Sequence, residues 1–206
     1  DLAYKTWISG TGWSSEGYID DTGHSTDINY YWVSLASKPS NNEICLIGID
    51  GTDSDTQAWI WSGSSFGNEK ELTASVSIAT EECIAVAYEQ TSGYATCVSS
   101  TGHAAFSWQW SGSAWDASAT TFDLSGTSSP NWFTLKANPA SGSDELFCVC
   151  VDGGTDLNTA YWSGSAWTLH TEHDNSVDTH AARCADFAWE PTGNKGLLVW
   201  GTDAGV

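Results

Sequence analysis

Three observations predict an all-β fold, a four-bladed β-propeller. A Trp-Ser-Gly hairpin recurs about every fifty residues, a second landmark recurs at the same period, and each repeat carries four short strand-like runs. The hairpin reads Trp61-Ser-Gly-Ser-Ser-Phe66, Trp110-Ser-Gly-Ser-Ala-Trp115 and Trp162-Ser-Gly-Ser-Ala-Trp167, with a looser copy at Ile8-Ser-Gly-Thr-Gly-Trp13. Its glycines, Gly10, Gly63, Gly112 and Gly164, stand 53, 49 and 52 residues apart, and the interval from Gly164 through the C-terminus to Gly10 is 52. The second landmark is Pro39, Gln90, Pro139 and Pro191, spaced by 51, 49 and 52 residues, each following an apolar run and opening a turn.

The repeats alternate. Trp32-Val-Ser-Leu-Ala-Ser-Lys-Pro39 matches Trp132-Phe-Thr-Leu-Lys-Ala-Asn-Pro139, and Cys83-Ile-Ala-Val-Ala-Tyr-Glu89 matches Cys184-Ala-Asp-Phe-Ala-Trp-Glu190. The pattern is ABAB, a pseudo-twofold within a pseudo-fourfold ring. Repeat boundaries fall near 23–72, 73–124, 125–176, and 177–206 together with 1–22. In the third unit the strands are expected at about 131–138, 145–152, 157–163 and 166–173. Turn residues punctuate each junction: Pro-Ala-Ser-Gly-Ser, Asp-Gly-Gly-Thr and Ser-Gly-Ser. The run Gly196–Trp200 supplies a second strand and Leu2–Trp7 the third strand of the same blade. The two ends would then close the ring by pairing, leaving no loose edge. The rival arrangement has the N-terminal strand complete a neighbouring molecule's blade.

Composition narrows the function classes. The chain has 206 residues, 40% of them hydrophobic, enough for one packed core. It has 26 Asp plus Glu against 6 Lys plus Arg, a formal charge of −20. Such a surface repels nucleic acids and anionic membranes, and no apolar run reaches membrane-spanning length. Six Cys, no Met and no visible signal peptide read as a processed chain from an oxidising, extracellular compartment.

Candidate site residues follow from residue chemistry. Thirteen Trp are far more than a core of this size ordinarily uses. Trp59 and Trp61 point one way along their strand, as do Trp108 and Trp110, and with Trp162 and Trp167 they are the candidates for stacking on a sugar ring. The same Trp pairs would also serve to hold the hairpins together. No cofactor is required by the sequence. The acidic turns Asp50-Gly-Thr-Asp53-Ser-Asp55 and Asp152-Gly-Gly-Thr-Asp156 would suit Ca²⁺, whose ligands are oxygens, and are also ordinary turn formers. Thr202-Asp203-Ala-Gly-Val, if joined to Asp1, echoes them. His170, His173 and His180 form a loose group that zinc could use, although His170 and His173 point to opposite faces of a strand.

The repeat positions of the cysteines suggest Cys45–Cys83 and Cys148–Cys184 bridges between blades, leaving Cys97 and Cys150. A Cys83–Cys97 hairpin bridge competes, and buried free thiols remain an option. Glu89 and Glu190 occupy matching strand ends, where a carboxylate pair could run hydrolysis, but their counterparts are Lys38 and Asn138. No nucleophile elbow, phosphate-binding loop or His-Glu-Xaa-Xaa-His motif occurs.

With one Trp-Xaa-Gly-Xaa-Xaa-Trp hairpin per blade, the chain resembles extracellular β-propellers such as the tectonin-type and related propeller lectins. The resemblance implies secretion and ligand binding on or between blades. The hairpins lack the Asp of the sialidase-type Asp box. The expected function is a non-enzymatic extracellular binding or adhesion module for a glycan or protein surface. The second expectation is a structural subunit of a filament or surface layer, assembled by strand exchange or face-to-face contacts. A glycoside hydrolase with carboxylates in a central channel ranks last.

Overall fold

The computed structural model describes residues 2–19, 29–124 and 128–202. Those residues form eighteen strands. An interrupted hairpin comes first: β1 (Leu2–Tyr4) pairs with β4 (Gly17–Ile19), and β2 (Trp7–Ile8) pairs with β3 (Gly12–Trp13). Three four-stranded antiparallel meanders follow. They are β5 (Tyr30–Ser37), β6 (Ile44–Asp50), β7 (Asp55–Trp61) and β8 (Phe66–Thr73); β9 (Ala85–Tyr88), β10 (Ala95–Thr101), β11 (Ala104–Trp110) and β12 (Thr120–Phe122); and β13 (Pro130–Ala137), β14 (Leu146–Asp152), β15 (Leu157–Trp162) and β16 (Trp167–Asp174). A two-stranded sheet, β17 (Ala185–Trp189) with β18 (Gly196–Trp200), ends the chain.

The hairpin motif explains itself locally. Gly63, Gly112 and Gly164 sit at φ +98°, +91° and +89°, which a residue with a Cβ adopts only under strain. The serine before each glycine ties the turn: Ser62 Oγ donates to the Ser65 carbonyl at 3.1 Å and accepts from the Ser65 amide at 3.3 Å, and Ser111 and Ser163 repeat both contacts. The flanking aromatics then face each other across the strands, with ring centroids 5.2 Å apart for Trp61–Phe66 and 5.6 Å for both Trp110–Trp115 and Trp162–Trp167.

First strands β5, β9, β13 and β17 lie side by side, so the sheets are arranged radially. The second strands β6, β10 and β14 are buried along nearly their whole length, because each is covered by neighbouring blades on both faces. One apolar cluster runs through the three complete blades. A second joins β14 to β17, and a third seats Ile19 of the first hairpin on Leu46 and Trp59.

The expected closed four-bladed ring is not what forms. The described residues make six sheets, and the pairing of Gly196–Trp200 with Leu2–Tyr4 that would close the ring is not among them: β1 pairs with β4 alone and β18 with β17 alone. A four-bladed ring would bring β17 against β5. Instead β5 presents Tyr31, Val33 and Leu35 at 52%, 51% and 62% exposure, so that face is left uncovered. The physical reason is that each terminal hairpin finds its apolar partner locally. Ile19 is buried on the first blade and Phe187 on the third, and the apolar faces of β5 and β18 stay uncovered.

Candidate functional site

The six candidate tryptophans divide by burial. Trp59, Trp110 and Trp162 are inside the blade-to-blade core, and Trp162 Nε1 donates to Glu89 Oε1 at 2.7 Å. Trp108 is half-buried: its Nε1 donates to the Leu72 carbonyl at 2.9 Å, and Lys70 Nζ lies 4.4 Å from its ring centroid. Trp61 and Trp167 line open clefts, and the buried Trp59 forms part of the floor of another. Position along the hairpin does not decide this: Trp61, Trp110 and Trp162 are repeat-equivalent, yet Trp61 is half-buried and the other two are buried by what packs on them.

The clefts come in repeat-related pairs. One, about 690 Å³, lies between the first hairpin and the first blade. Tyr4, Trp7, Trp61 and Phe66 give it an aromatic wall, and Lys5, Asn41, Asn42 and Glu43 give it polar groups. Tyr4 stands edge-on to both Trp61 and Phe66, at 5.4 and 5.3 Å. Glu43 Oε1 is held by Lys38 Nζ at 3.4 Å and by Tyr88 Oη at 3.1 Å. The related cleft on the third blade, about 580 Å³, carries Glu145 in the place of Glu43, with Tyr161 and Trp189. Tyr161 Oη donates to Glu145 Oε1 at 2.5 Å and Asn138 Nδ2 to Oε2 at 2.5 Å; the Tyr161 bond, first among these, holds the Glu145 carboxyl below its ordinary range.

A second pair lies between outer strands. One cleft, about 410 Å³, has Trp167 stacked on Phe122 at 4.1 Å, with Asp123 and His170 at its edge. Its counterpart, about 470 Å³, has Phe66 in the place of Trp167 and Glu69 in that of His170. Sequence reasoning missed Tyr4, Trp7, Lys5 and Glu43. The available signal was Trp7 and Trp13 flanking the most divergent hairpin copy.

In the acidic turns, Asp50 and Asp55 are cross-strand partners, and Asp50 Oδ1 accepts from the Thr52 amide at 2.6 Å. Asp53 is at the exposed turn. Asp152 Oδ1 accepts from the Gly154 and Asp156 amides at 2.8 and 3.1 Å. Asp1 and Asp203 lie outside the described residues. His170, His173 and His180 have separate partners in Asn158, Thr159 and Asn131. Among the described residues no three His, Cys, Asp or Glu side chains are grouped to hold a metal ion.

All six cysteines are free thiols, and the pair brought together is Cys45 and Cys97, Sγ to Sγ 3.6 Å across the first two blades. Cys83 and Cys184 share another role. Each donates to a carbonyl five residues upstream, Ile78 at 3.2 Å and Thr179 at 3.0 Å, fastening the loop that enters the blade. Burial pushes the Cys83 thiol up to about 11 and Cys148 and Cys150 higher still, so none of these three is a ready nucleophile. Glu89 and Glu190 do not form a catalytic pair: Glu89 is buried and accepts from Ser92 Oγ, Gln109 Nε2 and Trp162 Nε1 at 2.5, 2.6 and 2.7 Å, while Glu190 is exposed.

This radial array of antiparallel meanders is a β-propeller. No protein-family profile and no curated protein matches the sequence. Among solved structures, the chain is similar to the fucose-specific lectin from Aleuria aurantia, at 15% identity, covering 82% of this chain and 50% of that one, with a TM-score of 0.52. The SapL1 lectin in complex with alpha methyl fucoside matches at 13% identity over 95% of this chain and 70% of its own, with a TM-score of 0.54. A further structure of the Aleuria aurantia lectin, described as a six-bladed β-propeller, matches at 16% identity over 82% of this chain and 50% of its own, with a TM-score of 0.50. The described residues form six sheets, three of them complete four-stranded blades, and not the four expected blades, and the propeller they resemble is described as six-bladed. The chain spans about half the length of the first of these structures. Among the described residues no helix is long and apolar enough to cross a membrane.

Proposed function

We propose that the chain is a secreted, non-enzymatic carbohydrate-binding module, and that its sugar sits in the cleft walled by Tyr4, Trp7, Trp61 and Phe66. The observation that carries this reading is the pairing of an aromatic wall with fixed polar groups in one cleft. A pyranose presents an apolar C–H face that stacks on an aromatic ring, and hydroxyls that need donors and acceptors around its edge. Trp7, 61% exposed, is free to stack, and Lys5, Asn41, Asn42 and Glu43 offer both donors and acceptors. The solved structures it resembles bind fucose by their titles, so fucosides are the first ligands to try. A chain at −20 favours uncharged sugars over sialylated or sulfated ones, because like charges repel. Calorimetric titration with methyl fucoside and then a panel of neutral sugars tests the reading. Trp7→Ala is expected to weaken binding about tenfold or more, equivalent to about 1.4 kcal/mol. Unchanged affinity in that variant, with binding intact in the parent, would move the site elsewhere.

A second reading rests on the edges. Each complete blade pairs its second strand with its third, as β6 with β7, whereas β18 and β1 lack that partner among the described strands. β18 also exposes Leu197 and Val199. Strand addition between β18 of one copy and β1 of the next would assemble chains head to tail. Light scattering of the 22.0 kDa chain separates the cases. Mass growing with concentration supports assembly, and a constant monomer mass removes it.

A further inference from the structure

We propose that the turn joining β14 to β15 is a binding site for a divalent oxygen-seeking cation, Ca²⁺ by preference, built from Asp152, Asp156, Asn131 and Ser128. Two buried oxygens there have no hydrogen-bond partner: Asp152 Oδ2 and Asn131 Oδ1, on residues 2% and 3% exposed. A buried carboxylate oxygen left alone is costly, so something outside the chain must satisfy it.

Chemistry fixes the direction of the Asn131 amide. Its Nδ2 donates to the His180 carbonyl at 3.2 Å and to His180 Nδ1 at 2.9 Å. A carbonyl can only accept, so the nitrogen faces His180 and Oδ1 faces the turn. The glycines mark the space. A methyl carbon placed on Gly153 would lie 3.4 Å from Asn131 Oδ1 and 3.8 Å from the Ser129 carbonyl. One on Gly154 would lie 3.0 Å from Ser128 Oγ, 3.1 Å from Asp152 Oδ1 and 3.5 Å from Asp156 Oδ2. Oxygens from two segments, 128–131 and 152–156, therefore border a cradle kept open by the absence of two side chains.

Every donor is oxygen, which selects Ca²⁺ over the softer transition metals, and the irregular set suits its flexible coordination better than the strict octahedron of Mg²⁺. Asp152 and Glu172 place further negative charge beside Asp156, which a cation would offset. The matching turn of the first blade is different. There Tyr31 stands over Gly51, 2.1 Å from where a Cβ would be, and fills the space.

The test is calorimetric titration of CaCl₂ into chelator-treated protein, alongside Tb³⁺ luminescence. With only two carboxylates, one saturable site is expected with a midpoint of about 0.1–1 mM. Asp156→Asn and Gly154→Ala should each raise that midpoint about tenfold or more, the first by removing charge and the second by filling the cradle. Asp53→Asn, which removes the same charge from the first-blade turn, should leave it unchanged. Absence of saturation below about 10 mM would mean that water alone satisfies the two oxygens and would overturn the proposal. So would an equal loss in Asp53→Asn, which would mark diffuse attraction to an acidic surface. Should Gly154→Ala fail to fold, Asp156→Asn decides the matter.

Discussion

Glu89 has the most consequences of any single side chain. Its oxygens anchor Trp162 from the third blade and Gln109 from its own, so it joins two blades with a charge. Burial raises its carboxyl above the ordinary 4.5, and the bonds from Ser92, Trp162 and Gln109 only partly offset that. A carboxyl raised on folding holds its proton more tightly in the native state. Its contribution is therefore complete below about 4.5 and is lost as pH rises through the folded value. Glu145, lowered by Tyr161, has the opposite sign and loses its contribution as pH falls below about 4.5. Glu89→Gln should therefore flatten the fall in Tm on the alkaline side of that value, while Glu145→Gln should flatten the acid side. Thermal melts from pH 4 to 8 check both; parallel curves would refute the assignment. Glu89→Ala leaves the buried Trp162 Nε1 unpaired and should cost about 1–3 kcal/mol in urea unfolding. Cys45 and Cys97 carry the other residue-scale prediction. Oxidised glutathione, accepting the two electrons, should link them in preference to Cys45–Cys83, because closing 3.6 Å to a bond takes little movement. Peptide mapping without reductant reads the outcome.

At the scale of elements, the Trp-Ser-Gly hairpin is the unit that repeats, and its glycine is needed for two separable reasons. Gly164→Ala meets both a positive φ and Asp144 Cβ at 3.1 Å. Gly10→Ala meets the positive φ alone, with open space around it. The first should cost about 1–3 kcal/mol and the second about 1 kcal/mol in chemical denaturation. Equal costs would show that only the backbone matters. The same logic locates function. Hairpin tryptophans facing a neighbouring blade are core, and Trp59→Ala should cost about 3–5 kcal/mol with no specific effect on sugar.

At the scale of the whole molecule, the charge of −20 acts on every element at once. Self-repulsion in the compact state should make Tm rise with added NaCl as screening shortens its range to about 10 Å at 0.1 M. A flat salt profile would show that the acidic groups are too dispersed to matter. The uncovered faces also belong to this scale: Tyr31, Val33 and Leu35 on one flank and Leu197 and Val199 on the other are apolar surfaces of the kind that propeller blades cover.

The sequence by itself determined the period, the strand class and the hairpin. The third-unit strands expected at 131–138, 145–152, 157–163 and 166–173 lie at Pro130–Ala137, Leu146–Asp152, Leu157–Trp162 and Trp167–Asp174. These are local properties. Alternation, turn glycines and cross-strand aromatics act over a few residues and can be read one repeat at a time. Tertiary structure alone decided the number of sheets, which tryptophans are buried, that Cys45 meets Cys97, and that Asn131 turns its oxygen toward Gly153. Each of these depends on how one blade is rotated against the next. That rotation is set by packing between residues about fifty positions apart, where a repeat compares each blade with itself and is silent about its neighbour.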